Sequence, residues 1–150
     1  MALKFTVNVL VLLSVTLMAA SSVEAQLGYP VSYDITGKLY CTLNGSIGTN
    51  GTATPVFPGA LVQVVCVNTT NPLLTGTTLA DGRFTLQTPN PIPPNCTLVV
   101  PTPLSTCNSS LPATGGLISA LRSVGSIFIR LYAKHYVYIP EGFSYVPDLP

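Results

Sequence analysis

The sequence predicts a mainly β fold, a small disulfide-stapled antiparallel β-sandwich or barrel with at most one short helix. Three observations carry this. Short stretches alternate between apolar and polar residues with a period of two, as half-buried strands do. Turn-forming residues separate those stretches, the chain holding 12 Gly and 14 Pro. Four cysteines in a short chain read as two staples.

The opening segment is expected to be removed. Lys4 supplies a positive charge, a largely apolar run covers 5–20, and Val23 and Ala25 are small residues at the two positions a signal peptidase reads. The run is shorter than the ~20 residues that span a bilayer, and no later stretch is long and apolar enough. Residues 1–25 therefore read as a secretory signal. Residues 26–150 read as a single β domain, beginning at Gln26 and ending in a Pro-containing tail.

Within 35–43, Ile35, Gly37, Leu39, Cys41 and Leu43 share one parity and Thr36, Lys38, Tyr40 and Thr42 the other, which predicts a half-buried strand. Residues 44–59 are rich in Gly, Asn, Thr and Pro and predict a loop. Residues 60–67 predict a second strand, with Ala60, Val62, Val64 and Cys66 inward. Asp81-Gly82 stands between the β-rich runs 75–80 and 83–88, and such a dipeptide predicts a two-residue hairpin. Phe84 and Leu86 share the inward parity of the second run. The Pro-rich stretch 89–94 cannot feed a ladder and predicts an extended connector; 97–100 predicts a short strand. Residues 116–124 are the only candidate helix, with Leu117, Ala120, Leu121 and Val124 on one stripe. Alternation returns over 127–133, and 136–139 predicts a last strand before an irregular tail.

Composition excludes several functions. Only 7% of residues are charged and the formal net charge is +1, far from the dense basic face that nucleic-acid binding requires. So few charges leave apolar surface exposed, which favours adsorption and self-association. Cys41, Cys66, Cys96 and Cys107 have no C-x-x-C spacing, and one histidine cannot complete a usual zinc site, so neither metal nor cofactor is expected. The cysteines read as two disulfides, and spacing leaves all three pairings open.

No enzyme site is expected. His135 lies between Lys134 and Tyr136 in an expected turn and reads as a solvated surface residue. There is no G-x-S-x-G elbow, and Asp34, Asp81, Glu141 and Asp148 form no evident acid–base pair. Five glycosylation tripeptides begin at Asn44, Asn50, Asn68, Asn95 and Asn108, where about two would arise by chance from this composition. Phe128, Arg130 and Tyr132, with Tyr136 and Tyr138 nearby, fit two arrangements. One is an exposed aromatic–basic strip that adsorbs to a lipid, wall or hydrophobic partner; the other is a buried face under a second sheet.

Four stretches resemble the plant phylloplanins: Ile35-Thr-Gly-Lys-Leu-Tyr-Cys-Thr-Leu-Asn-Gly45, Val56-Phe-Pro-Gly-Ala-Leu-Val-Gln-Val-Val-Cys66, Asn95-Cys-Thr-Leu-Val-Val100 and Thr102-Pro-Leu-Ser-Thr-Cys-Asn108. The likeness covers roughly residues 31–146. More distantly, the Gly-x-x-Tyr-Cys opening, the Ala-x-Val-x-Val-x-Cys strand and the Asp-Gly-Arg-Phe turn resemble the olive-pollen major allergen family. That family has six cysteines against four in this chain.

The phylloplanin resemblance implies a secreted antimicrobial protein of the plant aerial surface or apoplast. It would inhibit fungal or oomycete spore germination, its partner a spore or membrane surface, the cell wall or the cuticle. The pollen-allergen resemblance implies an alternative, an extracellular structural or wall-interacting protein. Carried over by motif order, it also implies a nested pairing of Cys41 with Cys107 and Cys66 with Cys96.

Overall fold

The computed structural model describes residues 30–48, 53–129 and 133–149. The signal segment and the chain's start at Gln26 lie outside the described residues, as do Asn50, Arg130 and Tyr132. Eight strands follow: β1 (Val31–Lys38), β2 (Leu61–Cys66), β3 (Leu74–Thr77), β4 (Arg83–Thr88), β5 (Cys96–Val100), β6 (Gly116–Ile129), β7 (Ala133–Pro140) and β8 (Ser144–Val146). Among the described residues the only helix is one 3₁₀ turn, Leu104–Thr106.

The strands form one curled sheet in the order β3-β2-β5-β6-β7-β1-β4, with β8 on β6. Its two end strands approach each other, since a Cβ at Gly76 of β3 would stand 2.5 Å from Leu86 Cδ2 of β4. The result is a nearly closed barrel, mainly β and stapled by two disulfides. One ladder departs from the antiparallel expectation: β1 runs parallel to β7, Tyr33 opposite Tyr136.

The period-two pattern sets which side chains face inward. Along β2, Val62, Val64 and Cys66 are buried; along β4, Phe84 and Leu86 are buried between exposed Arg83, Thr85 and Gln87. Ile35, Leu39 and Cys41 reach the same core, with Phe57, Leu98, Leu104 and Leu117. The first strand ends at Lys38, however, and Leu43 is exposed. There the chain leaves the ladder for an isolated bridge, Tyr40 to Val56, and a tight turn.

Three expectations are corrected. Residues 116–124 are the first part of β6, not a helix. Leu117 and Ser119 alternate inward between β5 and β8, while Ala120 and Val124 are exposed, so the apolar stripe has no second element to cover it. Asp81-Gly82 does make a tight turn, with Leu79 N–H donating to Arg83 O at 2.7 Å and Gly82 at φ +80°. The flanking runs do not pair as a hairpin: β3 joins β2 and β4 joins β1. Leu39 N–H donates to Gly82 O at 2.9 Å, and a Cβ at Gly82 would stand 2.6 Å from Leu39 O. The turn is thus docked on the chain beyond β1, and β4 takes its ladder with β1 rather than with β3. Finally, the tail is not wholly irregular, since Ser144–Val146 pairs with Gly116–Ile118.

Candidate functional site

β6 is the longest strand, 14 residues, and its two halves have different surroundings. Gly116–Ile118 pairs with β8 and Leu117–Ala120 with β5, where that ladder stops. From Leu121 onward β6 pairs with β7 alone, through Ile129 opposite Ala133, with a bulge at Ser123/Gly125. Among the described residues no strand pairs with the other edge of this half. The hairpin therefore presents an unpaired backbone edge and apolar side chains in water: Val124 is 51% exposed, Ile127 53%, Phe128 69% and Ile129 45%. Arg122 is the one charged residue in that half.

Phe128 is exposed, as one of the two arrangements required. The basic and aromatic residues near it come from β7 and β1. The Lys134 ammonium lies 5.7 Å from the Phe128 ring centroid and 4.8 Å from that of Tyr136. Tyr136 in turn stacks on Tyr33, centroids 5.0 Å apart and planes at 9°. A cation held between aromatic faces is partly desolvated by them, so the only ammonium near the apolar tip among the described residues does not make it hydrophilic. Tyr33 and Tyr138 pack against the core, which anchors the root of this strip.

On the opposite face of β7, β1 and β4 runs a polar chain. Gln87 Nε2 donates to Ser32 Oγ at 2.8 Å, Ser32 Oγ to Asp34 Oδ1 at 2.6 Å, and His135 Nδ1 lies 2.7 Å from Asp34 Oδ2. His135 is thus not a free surface residue in a turn. It sits within β7, its side chain 17% exposed, beside a partner 101 residues away in sequence. Shared parity of Ser32 and Asp34 hinted at one polar face, but the parallel β1–β7 pairing that brings His135 there has no local signal. The Ser32 hydroxyl donates its hydrogen bond to Asp34 rather than to His135. The arrangement therefore lacks the hydroxyl-to-imidazole bond that activates a serine nucleophile.

Burial pushes the Asp34 carboxyl up, but the hydrogen bonds from Ser32 and His135, the imidazolium charge and Gln87 outweigh it and hold it below the ordinary value. The native chain then binds fewer protons than the unfolded one in acid, so stability rises with pH there. The contribution is complete above the unfolded carboxyl value of about 4 and disappears as pH falls through the depressed one. Acid denaturation followed by circular dichroism is expected to show weakening only below about pH 4, and Asp34→Asn to flatten that limb. An unchanged acid limb in Asp34→Asn would remove Asp34 from the account.

The disulfides join Cys41 to Cys107 and Cys66 to Cys96. Each is flanked by glycosylation tripeptides: Asn44 and Asn108 near the first, Asn68 and Asn95 near the second. All four asparagines are exposed. No three His, Cys, Asp or Glu among the described residues cluster to hold a metal, and no described helix is long and apolar enough to cross a membrane.

Comparison with known proteins places these features. A family model described as "Phylloplanin antifungal protein" matches residues 29–149. A phylloplanin of Nicotiana tabacum is 45% identical over 96 residues, covering 63% of this chain and 63% of that protein. The match thus spans somewhat less than two thirds of the relative's length. Among solved structures, the major plantain pollen allergen Pla l 1 is similar over 79% of this chain and 98% of its own, with 16% identity and a TM-score of 0.38.

Proposed function

The chain belongs to the phylloplanin family, and from that premise we propose that it is a secreted defence protein of the plant surface that inhibits fungal or oomycete spore germination by non-enzymatic adsorption. The proposed active form begins at Gln26, after removal of residues 1–25, and acts in the apoplast or on the aerial surface. The family's description as antifungal supports the biological role. The adsorption step rests on one observation, the β6–β7 hairpin that carries Ile127, Phe128 and Ile129 into solvent beside an edge that no strand among the described residues pairs with.

Transfer of apolar surface out of water supplies the attraction at roughly 25 cal/mol per Å². With a net charge of +1 the protein is not drawn to anionic surfaces by a strong field. Its target is therefore an apolar surface of the spore wall, membrane or cuticle, and the same edge favours self-association at high concentration.

The test is germination of several leaf-infecting fungi and oomycetes with purified protein spanning 26–150. Suppression is expected at a stoichiometry that follows the added protein, with little dependence on ionic strength. His135→Ala is expected to lose about 1–2 kcal/mol of stability, because it removes a partner from a carboxylate, yet to keep the inhibition. Unchanged germination across all species, or loss of inhibition in a folded His135→Ala protein, would overturn the proposal.

A further inference from the structure

The four described glycosylation tripeptides are not equivalent as acceptors once the chain has folded. Asn44-Gly45-Ser46 and Asn108-Ser109-Ser110 lie outside the strands in small side-chain turns. Ser46 N–H donates to Asn44 Oδ1 at 3.1 Å, and Ser110 donates to Asn108 Oδ1 from its N–H at 3.0 Å and its hydroxyl at 2.7 Å. Asn68-Thr69-Thr70 follows β2 in an exposed turn, with Asn68 at φ +64°.

Asn95-Cys96-Thr97 is different. Cys96 and Thr97 are the first residues of β5, an interior strand of the sheet. Thr97 is opposite Val65 on one side and Ala120 on the other, and its Oγ1 donates to Val65 O at 3.4 Å. The middle residue, Cys96, is buried and bonded to Cys66. Val67 N–H also donates to Asn95 O at 3.1 Å. A transferase must take hold of all three residues and draw the Thr hydroxyl to its own site, which requires the tripeptide to leave the sheet. The Cys66–Cys96 bond forbids that without rupture of a covalent link.

We propose that Asn95 is a disulfide-gated glycosylation site: closure of Cys66–Cys96 ends its life as an acceptor, so the secreted protein is a mixture of forms with and without a glycan at Asn95. The inference rests on the proposed secretion of the chain. Two reactions compete. In one, Asn95 Nδ2 bonds to the anomeric carbon of a lipid-linked oligosaccharide, releasing the lipid pyrophosphate and a proton. In the other, the thiols of Cys66 and Cys96 become a disulfide, and their two electrons and two protons pass to a protein disulfide oxidant, which becomes a dithiol.

The gate works in one direction. Asn95 is exposed in the folded protein and lines a surface depression together with Asn68, Asn71 and Pro93, so a glycan added first does not prevent later closure. The race is also early. Cys66 lies 30 residues before Cys96, so both thiols are available as soon as Asn95 emerges, whereas Cys107 has yet to reach Cys41.

The test is glycopeptide mapping of the full precursor expressed in plant cells, comparing wild type with Cys66→Ser, which leaves the Asn95 tripeptide intact. Partial occupancy at Asn95 is expected in wild type, rising to near completion in Cys66→Ser, with Asn44 and Asn108 unchanged. Because Cys66→Ser protein that fails to fold is still glycosylated beforehand, cell-retained material is mapped as well. A brief dithiothreitol pulse on wild-type cells should raise Asn95 occupancy in the same way. Equal occupancy with and without Cys66, or complete occupancy in wild type, would overturn the gate while leaving secretion intact. No glycan at any of the sites would overturn both.

Discussion

Reducing and alkylating the two disulfides is expected to unfold the protein and to abolish its inhibition of germination. Loops of 66 and 30 residues are closed, and chain entropy alone assigns each closure roughly 4 kcal/mol. A domain of this size has about 5–15 kcal/mol in total, so losing both leaves little. Cys41, Cys66 and Cys96 are also buried in the core, where alkylated sulfurs cannot be packed.

The two bonds should not weigh equally. Cys66 and Cys96 are already opposite each other in the β2–β5 ladder. Cys41 and Cys107 lie outside the named strands, in segments that no strand ladder joins. Urea denaturation should therefore show Cys41→Ser/Cys107→Ser as the costlier pair, its loss amounting to about 4 kcal/mol. Retention of native circular dichroism after complete reduction and alkylation would refute the argument.

The second large effect is functional. Ile127→Ser with Phe128→Ser is expected to lower adsorption and antigermination potency at least tenfold while leaving the fold intact. Both side chains are more than half exposed, so the native state loses little packing. Each contributes ~1.5–3 kcal/mol when fully transferred out of water, and even half of that for two residues exceeds the ~1.4 kcal/mol of one decade. Phe57→Ala is the contrasting control: that ring is buried in the core, and its loss should cost about 3–5 kcal/mol of stability. Binding to alkyl-coated beads and to spores, measured beside circular dichroism, separates the two. Undiminished binding of a folded Ile127→Ser/Phe128→Ser protein would place the adsorbing surface elsewhere.

Much of the barrel was legible because its strands are buried on one face only. Val62, Val64 and Cys66, or Phe84 and Leu86, are inward by parity alone, and parity survives whatever partner the strand finds. Residues 116–124 were not legible for the opposite reason. Their first half is paired on both sides and their second half projects past β5, so neither follows a simple alternation, and the remaining apolar positions imitate a helical stripe. The Asp81-Gly82 turn was read correctly as a turn, but a local signal cannot say that Gly82 docks on Leu39 and divides the flanking strands between two ladders. The exposed Phe128 was one of two arrangements open in the sequence, while the contacts of Tyr136 with Tyr33 and of His135 with Asp34 depend on a pairing across some hundred residues.

The parallel pairing of β1 with β7 governs when the molecule can first exist. β1 stands between β4 and β7, so the strand synthesised first among the eight is completed by one of the last. Until residues 133–140 have left the ribosome, Val31–Ile35 has no partner on one side, and the barrel cannot close during synthesis. Bringing such distant segments together requires loop closure before any contact rewards it, which places folding in the slow range of all-β topologies, milliseconds to seconds. The nascent chain thus passes through an interval with its apolar strands uncovered. A ribosome-bound chain truncated before Ala133 is, on this topology, a substrate for chaperones rather than a smaller version of the protein.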